Sequence, residues 1–397
     1  MAMKQRLANV LLVLVSVIVA LLLGEAGARV FLNPSDYLSA TLKNDGILGG
    51  VIEPGTGGFD AWGYRNRSVP ASVDIVALGD SHTYGNTARM KESWPHVTGE
   101  LTGRSVYNMG MGGYGPNQYF HLMTTRALGL KPAVVLCGLY MGDDFENAFA
   151  MTYGVAHWSY LRQQRFENID ADIWREPEDG KILKGLRVWL SRSSVLYQVV
   201  VHGPVAGRLK GYVQLSRAAR EPDPLTTTLT AEDGSIREAF RPAAIRDRMD
   251  LGRDEIREGL RITKRLLQDM NEACLKSGCR FVVVVIPTKE MVFAKYLERD
   301  AAIHLRGVID ELLANERTIR KELFGYFQTT GIRYVDTLPA LEHMAGQGLY
   351  AHSDRDMHPG RNGYRVIAES VADYLNRSRP LDGQEDDRQP PSGRPSR

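Results

Sequence analysis

Cysteine is scarce in this chain: Cys137, Cys274 and Cys279 are the only three in 397 residues. That excludes a disulfide framework as the source of stability. Cys137 lies inside an apolar run and reads as an inert core residue, whereas Cys274 and Cys279 flank the turn Leu275-Lys276-Ser277-Gly278 and could pair if the domain is exported. Net charge is nearly absent, +2 from 49 basic and 47 acidic residues, which removes any global electrostatic reason to expect a nucleic-acid partner. Internal repeats are missing, and long apolar runs are missing except at the N-terminus. What remains, 43% hydrophobic and 24% charged residues, is the composition of a globular protein able to bury a substantial core, as one large domain with an insertion or as two domains.

The exceptional run is at residues 7–23, uncharged and preceded by Lys4 and Arg6. Seventeen residues of helix rise about 25 Å, short of the roughly 30 Å hydrocarbon core, but residues 24–32 add mostly apolar length around Glu25 and Arg29. A single span is expected, with the N-terminus cytoplasmic and the rest exported; in a Gram-negative cell this is a single-pass inner-membrane protein with a periplasmic domain. Cleavage after Ala28, in the small-x-small sequence Ala26-Gly27-Ala28, is the competing reading.

Residues 33–72, rich in Gly, Pro, Asn and Asp, read as a stalk or loosely structured approach to the fold. Short continuous apolar runs come next, at 74–78, 105–108, 133–140, 281–286 and 332–335, as expected of strands covered on both faces. Helical patterns lie between them at 94–101, 118–128 and 254–275. Alternation of this kind implies a parallel sheet in a three-layer α/β arrangement, with its first half at 73–150, its second at 251–378, and ligands at the carboxyl ends of the strands. Residues 151–250 break the rhythm and read as a helical insertion or cap, with 221–241 as a loop. Within the insertion, 181–220 carries eight basic residues and no acidic one, interleaved with Trp189, Leu190, Leu196 and Tyr197. Such a stretch suits an anionic membrane surface or an acidic polymer, or else a cap helix with one solvated basic face. The polar tail 379–397 is expected to be disordered.

Gly79-Asp80-Ser81 ends the first run of the sheet, where a hydroxyl can stand at a strand's carboxyl end as a nucleophile. Far along the chain, Asp354-Arg-Asp356-Met-His358-Pro-Gly precedes a helix with Tyr364, Ile367, Val371 and Tyr374 on one face. An imidazole there can reach across the strand ends and take the serine proton at neutral pH. Asp356 is placed to hold its tautomer, with Asp354 the second candidate.

These residues, with Asn108-Met-Gly110-Met-Gly112-Gly113-Tyr-Gly115 and Gly138-Leu-Tyr-Met-Gly142-Asp143-Asp144, resemble the four blocks of the SGNH (GDSL-like) hydrolases, in order. The last block has the Asp-x-His spacing of polysaccharide acetyltransferase-like members. The resemblance implies a flavodoxin-like α/β/α fold and a Ser81-His358-Asp356 triad, with the Ser81 and Gly113 amides in the oxyanion hole. No metal or cofactor is called for. The third block departs from the family, because Asp143 stands where an Asn normally donates to the oxyanion. An ionised Asp143 would cost about 2.7 to 4 kcal/mol. Burial could instead keep it protonated and a donor, Asn147 could substitute, or the protein is weakly active. The expected activity is hydrolysis of O-acetyl or similar esters of an extracytoplasmic polysaccharide, with an acylated carbohydrate as substrate. Polysaccharide O-acetyltransfer by the same triad is the alternative, and a non-catalytic glycan-binding or scaffold subunit is the rival from another class. Partners would be the membrane and a polysaccharide-export or synthesis complex.

Overall fold

Five short runs of apolar and β-branched residues form one parallel sheet in the computed structural model, which describes residues 2–166, 182–202, 225–230, 236–300, 303–350 and 357–377. The strands are β1 (Ile75–Leu78), β2 (Val106–Asn108), β3 (Val134–Tyr140), β4 (Arg280–Ile286) and β5 (Arg333–Asp336), in the spatial order β2-β1-β3-β4-β5 with every pairing parallel. This is the flavodoxin-like order, in which the direction of winding reverses between β1 and β3. All seven residues of β3 are buried, as are six of the seven in β4. Continuous runs such as Val282-Val-Val-Val285 therefore belong to strands covered on both sides.

The longer helices are α1 (Ala2–Phe31), α2 (Trp94–Thr102), α3 (Pro116–Thr125), α4 (Asp144–Gly154), α5 (Ile182–Ser193), α6 (Val195–His202), α7 (Asp254–Lys276), α8 (Arg306–Thr330) and α9 (Arg361–Arg377). α2 and α9 pack together on one face of the sheet, while α3, α4 and α7 pack together on the other. α8 lies beside α7, where Tyr326 Oη donates to the Lys264 carbonyl. The result is the expected three-layer α/β/α arrangement.

Residues 33–72 are not a loose stalk. An antiparallel hairpin, Leu42–Asp45 with Gly49–Ile52, opens a segment whose Leu48, Ile52, Phe59 and Tyr64 are buried in the main core. Asp60 organises the turn after the hairpin: its carboxylate accepts from the amides of Trp62 (2.8 Å) and Tyr64 (3.0 Å), from Asn66 Nδ2 (3.3 Å) and from Tyr107 Oη (2.7 Å). The polarity of Asp60 and Asn66 is paired inside the domain, so composition alone misreads the segment.

The insertion holds α5 and α6 and, where a loop was expected, an antiparallel pair of Thr227–Thr230 with Arg237–Phe240. Lys289 from the sheet domain, its side chain 1% exposed, pins this pair: Nζ lies 2.6 Å from Glu238 Oε2 and donates to the Ala239 carbonyl at 3.0 Å. Cys274 and Cys279 are free thiols, both buried. The tail 379–397 and the whole of the basic stretch beyond α6, residues 203–220, lie outside the described residues.

Candidate active site

Ser81 comes after β1 at the end of a two-residue turn that only glycine can begin. Gly79 has φ +155°, and a Cβ there would lie 2.0 Å from Thr83 Oγ1. The short helical turn Ser81–Tyr84 is capped by Asp80, which accepts from the His82 amide at 2.9 Å. This tight strand-to-helix turn holds the hydroxyl at the carboxyl end of the sheet, beside the point where winding reverses.

His358 arrives from the opposite end of the chain. Pro359 bridges to Tyr350, the Gly360 and Gly363 amides donate to the Leu349 carbonyl, Thr87 Oγ1 donates to the Pro359 carbonyl at 2.7 Å, and Tyr364 Oη donates to the Asn86 carbonyl at 2.9 Å. So fixed, His358 Nε2 lies 2.7 Å from Ser81 Oγ. Both side chains are half-buried, open enough for an ester to reach. With the ring neutral and its proton on Nδ1, the serine hydroxyl donates to Nε2, the geometry of a nucleophile and its general base. Asp354 and Asp356 lie outside the described residues.

A second Asp-x-His pair supports the first. Asp80 and His82 are buried, with Asp80 Oδ2 3.0 Å from His82 Nδ1 and 3.4 Å from Ser81 Oγ. Burial acts to raise the Asp80 pKa, but the His82 ring and its hydrogen bonds outweigh burial and hold the carboxyl below its usual range. The His82 ring stacks on Tyr140 with centroids 3.7 Å apart and stands 4.7 Å from the His358 ring. It forms a plate behind the base, limiting the rotations open to His358. The sequence carried the clue, since Asp80-Ser-His82 repeats the spacing of Asp356-Met-His358.

The second block supplies the floor. Asn108 Nδ2 donates to the Thr83 carbonyl at 2.8 Å and its Oδ1 accepts from the Gly110 amide at 2.9 Å, locking the loop after β2 against the nucleophile turn. The chain then turns through Met111–Tyr114 with Gly113 at φ +78°, a conformation that favours glycine. Its neighbour Gly112 abuts the serine: a Cβ built there would lie 3.8 Å from Ser81 Cβ.

Asp143 and Asp144 stand just beyond β3. Asp144 is fully buried and structural, accepting from Tyr119 Oη at 2.8 Å and from the Tyr140 amide at 2.9 Å. Asp143 precedes the first turn of α4, with its side chain 27% exposed and its Oδ2 4.0 Å from Arg248 Nη1, which sequence reasoning did not single out. Its Oδ1 is buried with no hydrogen-bond partner. Burial, and then the nearby charge of Asp80, push its pKa up to about 7 against the opposing pull of Arg248. Asn147, one turn into α4, sits against Gly115, where a Cβ would come 2.8 Å from Asn147 Cβ. Among the described residues no cluster of His, Cys, Asp and Glu is arranged to hold a metal ion.

No protein-family model and no curated protein matches the chain. Solved structures do. An extracellular lipase from Streptomyces rimosus is 14% identical, with a TM-score of 0.40 over 78% of this chain and 100% of its own. Phospholipase A1 from Streptomyces albidoflavus NA297 is 11% identical, with a TM-score of 0.40 over 78% and 100%. A structure described as a lipolytic protein of the G-D-S-L family, from Desulfitobacterium hafniense DCB-2, is 12% identical, with a TM-score of 0.36 over 75% and 97%. At this level the likeness carries nothing about the reaction of this chain, which has to rest on its own residues.

Proposed function

We propose that the chain is a serine-dependent carboxylic ester hydrolase of the SGNH type. The observation that carries this reading is the 2.7 Å separation of Ser81 Oγ and His358 Nε2 at the carboxyl end of β1. In the proposed cycle Ser81 Oγ attacks the ester carbonyl while His358 Nε2 takes its proton. The oxyanion is held by backbone N–H groups of Ser81 and Gly113 and by protonated Asp143. His358 then returns the proton to the leaving alcohol, and a water molecule, activated by the same ring, releases the acid. Asp356 is the proposed orienting carboxylate.

The substrate class is an O-acetyl or similar ester of a polysaccharide outside the cytoplasm. Its support is α1, the one described helix long and apolar enough to cross a membrane, and the basic residues before it, which favour a cytoplasmic N-terminus. The test is release of acetate from an acetylated sugar, with and without an unacetylated sugar acceptor. Wild type should release acetate; Ser81→Ala and His358→Ala should each lower the rate by about a thousandfold or more, and the double mutant should be little worse, because residues acting as one unit are non-additive. Transfer to the acceptor without net acetate release would make the protein an O-acetyltransferase. Equal rates for wild type and Ser81→Ala would leave the scaffold reading.

A further inference from the structure

Among the described residues, the insertion is tied by hydrogen bonds to the proposed membrane-spanning helix at its C-terminal end. Glu25 of α1 caps the N-terminus of α6: its carboxylate accepts from Ser194 Oγ at 2.8 Å and from the amides of Leu196 at 2.9 Å and Val195 at 3.1 Å. Such a cap satisfies amides that a helix start leaves unpaired. Arg29 holds the other side of the junction, donating from Nη2 to the Ser193 carbonyl at 2.6 Å and from Nε to Glu25 at 2.7 Å. Gly24 marks the closest approach, since a Cβ there would lie 3.1 Å from Leu196 Cδ2. The Ser39 amide also donates to the Ser191 carbonyl at 2.9 Å. The junction of α5 and α6 is therefore fixed at residues 24–29 of α1. Roughly 20 helical residues cross the hydrocarbon core; counted from Leu7, where the apolar run begins, they end at Ala26. Glu25 and Arg29 then stand at the outer headgroup level.

At that level the two helices expose apolar groups that a water-soluble insertion would cover. Leu186 is 57% exposed, Trp189 60% and Val200 66%. On α1 itself Leu21, Leu22 and Leu23 are exposed as well. Arg187 is exposed on α5, and Arg192 lines, with Arg29, Thr56 and Trp189, a groove of about 630 Å³. Tryptophan flanked by arginine is the pairing that settles at a bilayer interface.

We propose that α5 and α6 form a second, interfacial contact with the bilayer: Leu186, Trp189 and Val200 enter the acyl boundary, and Arg187 and Arg192 meet the phosphates of anionic lipids. The contact fixes the height and tilt of the catalytic domain above the membrane. This inference rests on the proposal that α1 is a retained span, and the experiment separates the two. Full-length protein is incorporated into nanodiscs of phosphatidylcholine with or without phosphatidylglycerol, and tryptophan emission is measured with lipids brominated near the headgroup end of the acyl chain and with aqueous acrylamide. Of the five tryptophans, Trp94 and Trp158 are buried and Trp62 is half-buried; the difference between wild type and Trp189→Phe reports the Trp189 ring alone, whatever the others contribute. The expected result is bromolipid quenching that Trp189→Phe largely removes. It should be stronger with phosphatidylglycerol, and Arg187→Gln with Arg192→Gln should erase that difference. Incorporation with Trp189 quenched by acrylamide and not by bromolipid overturns the interfacial contact alone. Failure to enter the discs overturns the span and the inference with it.

Discussion

Asp143 sets the pH behaviour of the proposed reaction, because only its protonated form can donate to an oxyanion. Its pKa is raised to about 7 by burial and by Asp80, so the donor is present below that pH and is lost as pH rises through it. Wild-type kcat should therefore fall above pH 7, by about tenfold per unit once the group is mostly ionised. Asp143→Asn supplies a permanent donor and should hold or raise activity while extending it to alkaline pH. A pH–rate profile of the two proteins checks this; a loss of more than about tenfold on Asp143→Asn, with the fold intact, would assign the carboxylate a role of its own. Ser81 and His358 were legible in the sequence because each stands at the end of a recognisable strand or before a recognisable helix. His82 was not singled out, although its distance from Asp80 repeats that of the fourth block. Its role depends on Tyr140 and His358 closing on its ring from 58 and 276 positions away, contacts that no local pattern encodes.

The five strands were legible for a physical reason: a strand covered on both faces needs apolar side chains in every position, and few other elements do. Elements whose stability comes from pairing were not. The sequence Thr227-Thr-Leu-Thr230 reads as a polar loop, yet Thr227 and Leu229 are buried and face one way, as strand alternation requires. Residues 33–72 were misread for the same reason, since Asp60 and Asn66 bury their polarity in hydrogen bonds. Between elements, one close contact near the site is the crossing of α7 and α4 at Gly259, where a Cβ would lie 1.9 Å from the Phe145 carbonyl oxygen. Helix propensity alone says Gly259→Ala should stabilise by about 1 kcal/mol. The crossing predicts the opposite sign, with overpacking costing about 1 to 3 kcal/mol and α4, which carries Asp143 at its start, displaced. Urea denaturation should show a lowered midpoint; an unchanged or raised midpoint would mean that the two helices separate easily.

For the whole molecule, the proposed topology places the sheet domain outside the cytoplasm, held close to the bilayer by α1. A C-terminal alkaline phosphatase fusion should be active and a C-terminal β-galactosidase fusion inactive, because Lys4 and Arg6 retain the N-terminus inside; the reverse pattern would overturn the localisation. Composition made the long apolar helix α1 readable, but not the tie between Glu25 and α6, which joins groups about 170 residues apart. The central claim, that Ser81 is a nucleophile activated by His358, is tested most directly by labelling the full-length protein with a fluorophosphonate and locating the adduct by mass spectrometry. The account predicts one adduct, on Ser81, forming at a rate that His358→Ala lowers by about a hundredfold or more. Absence of labelling at Ser81, or labelling unaffected by His358→Ala, would contradict it.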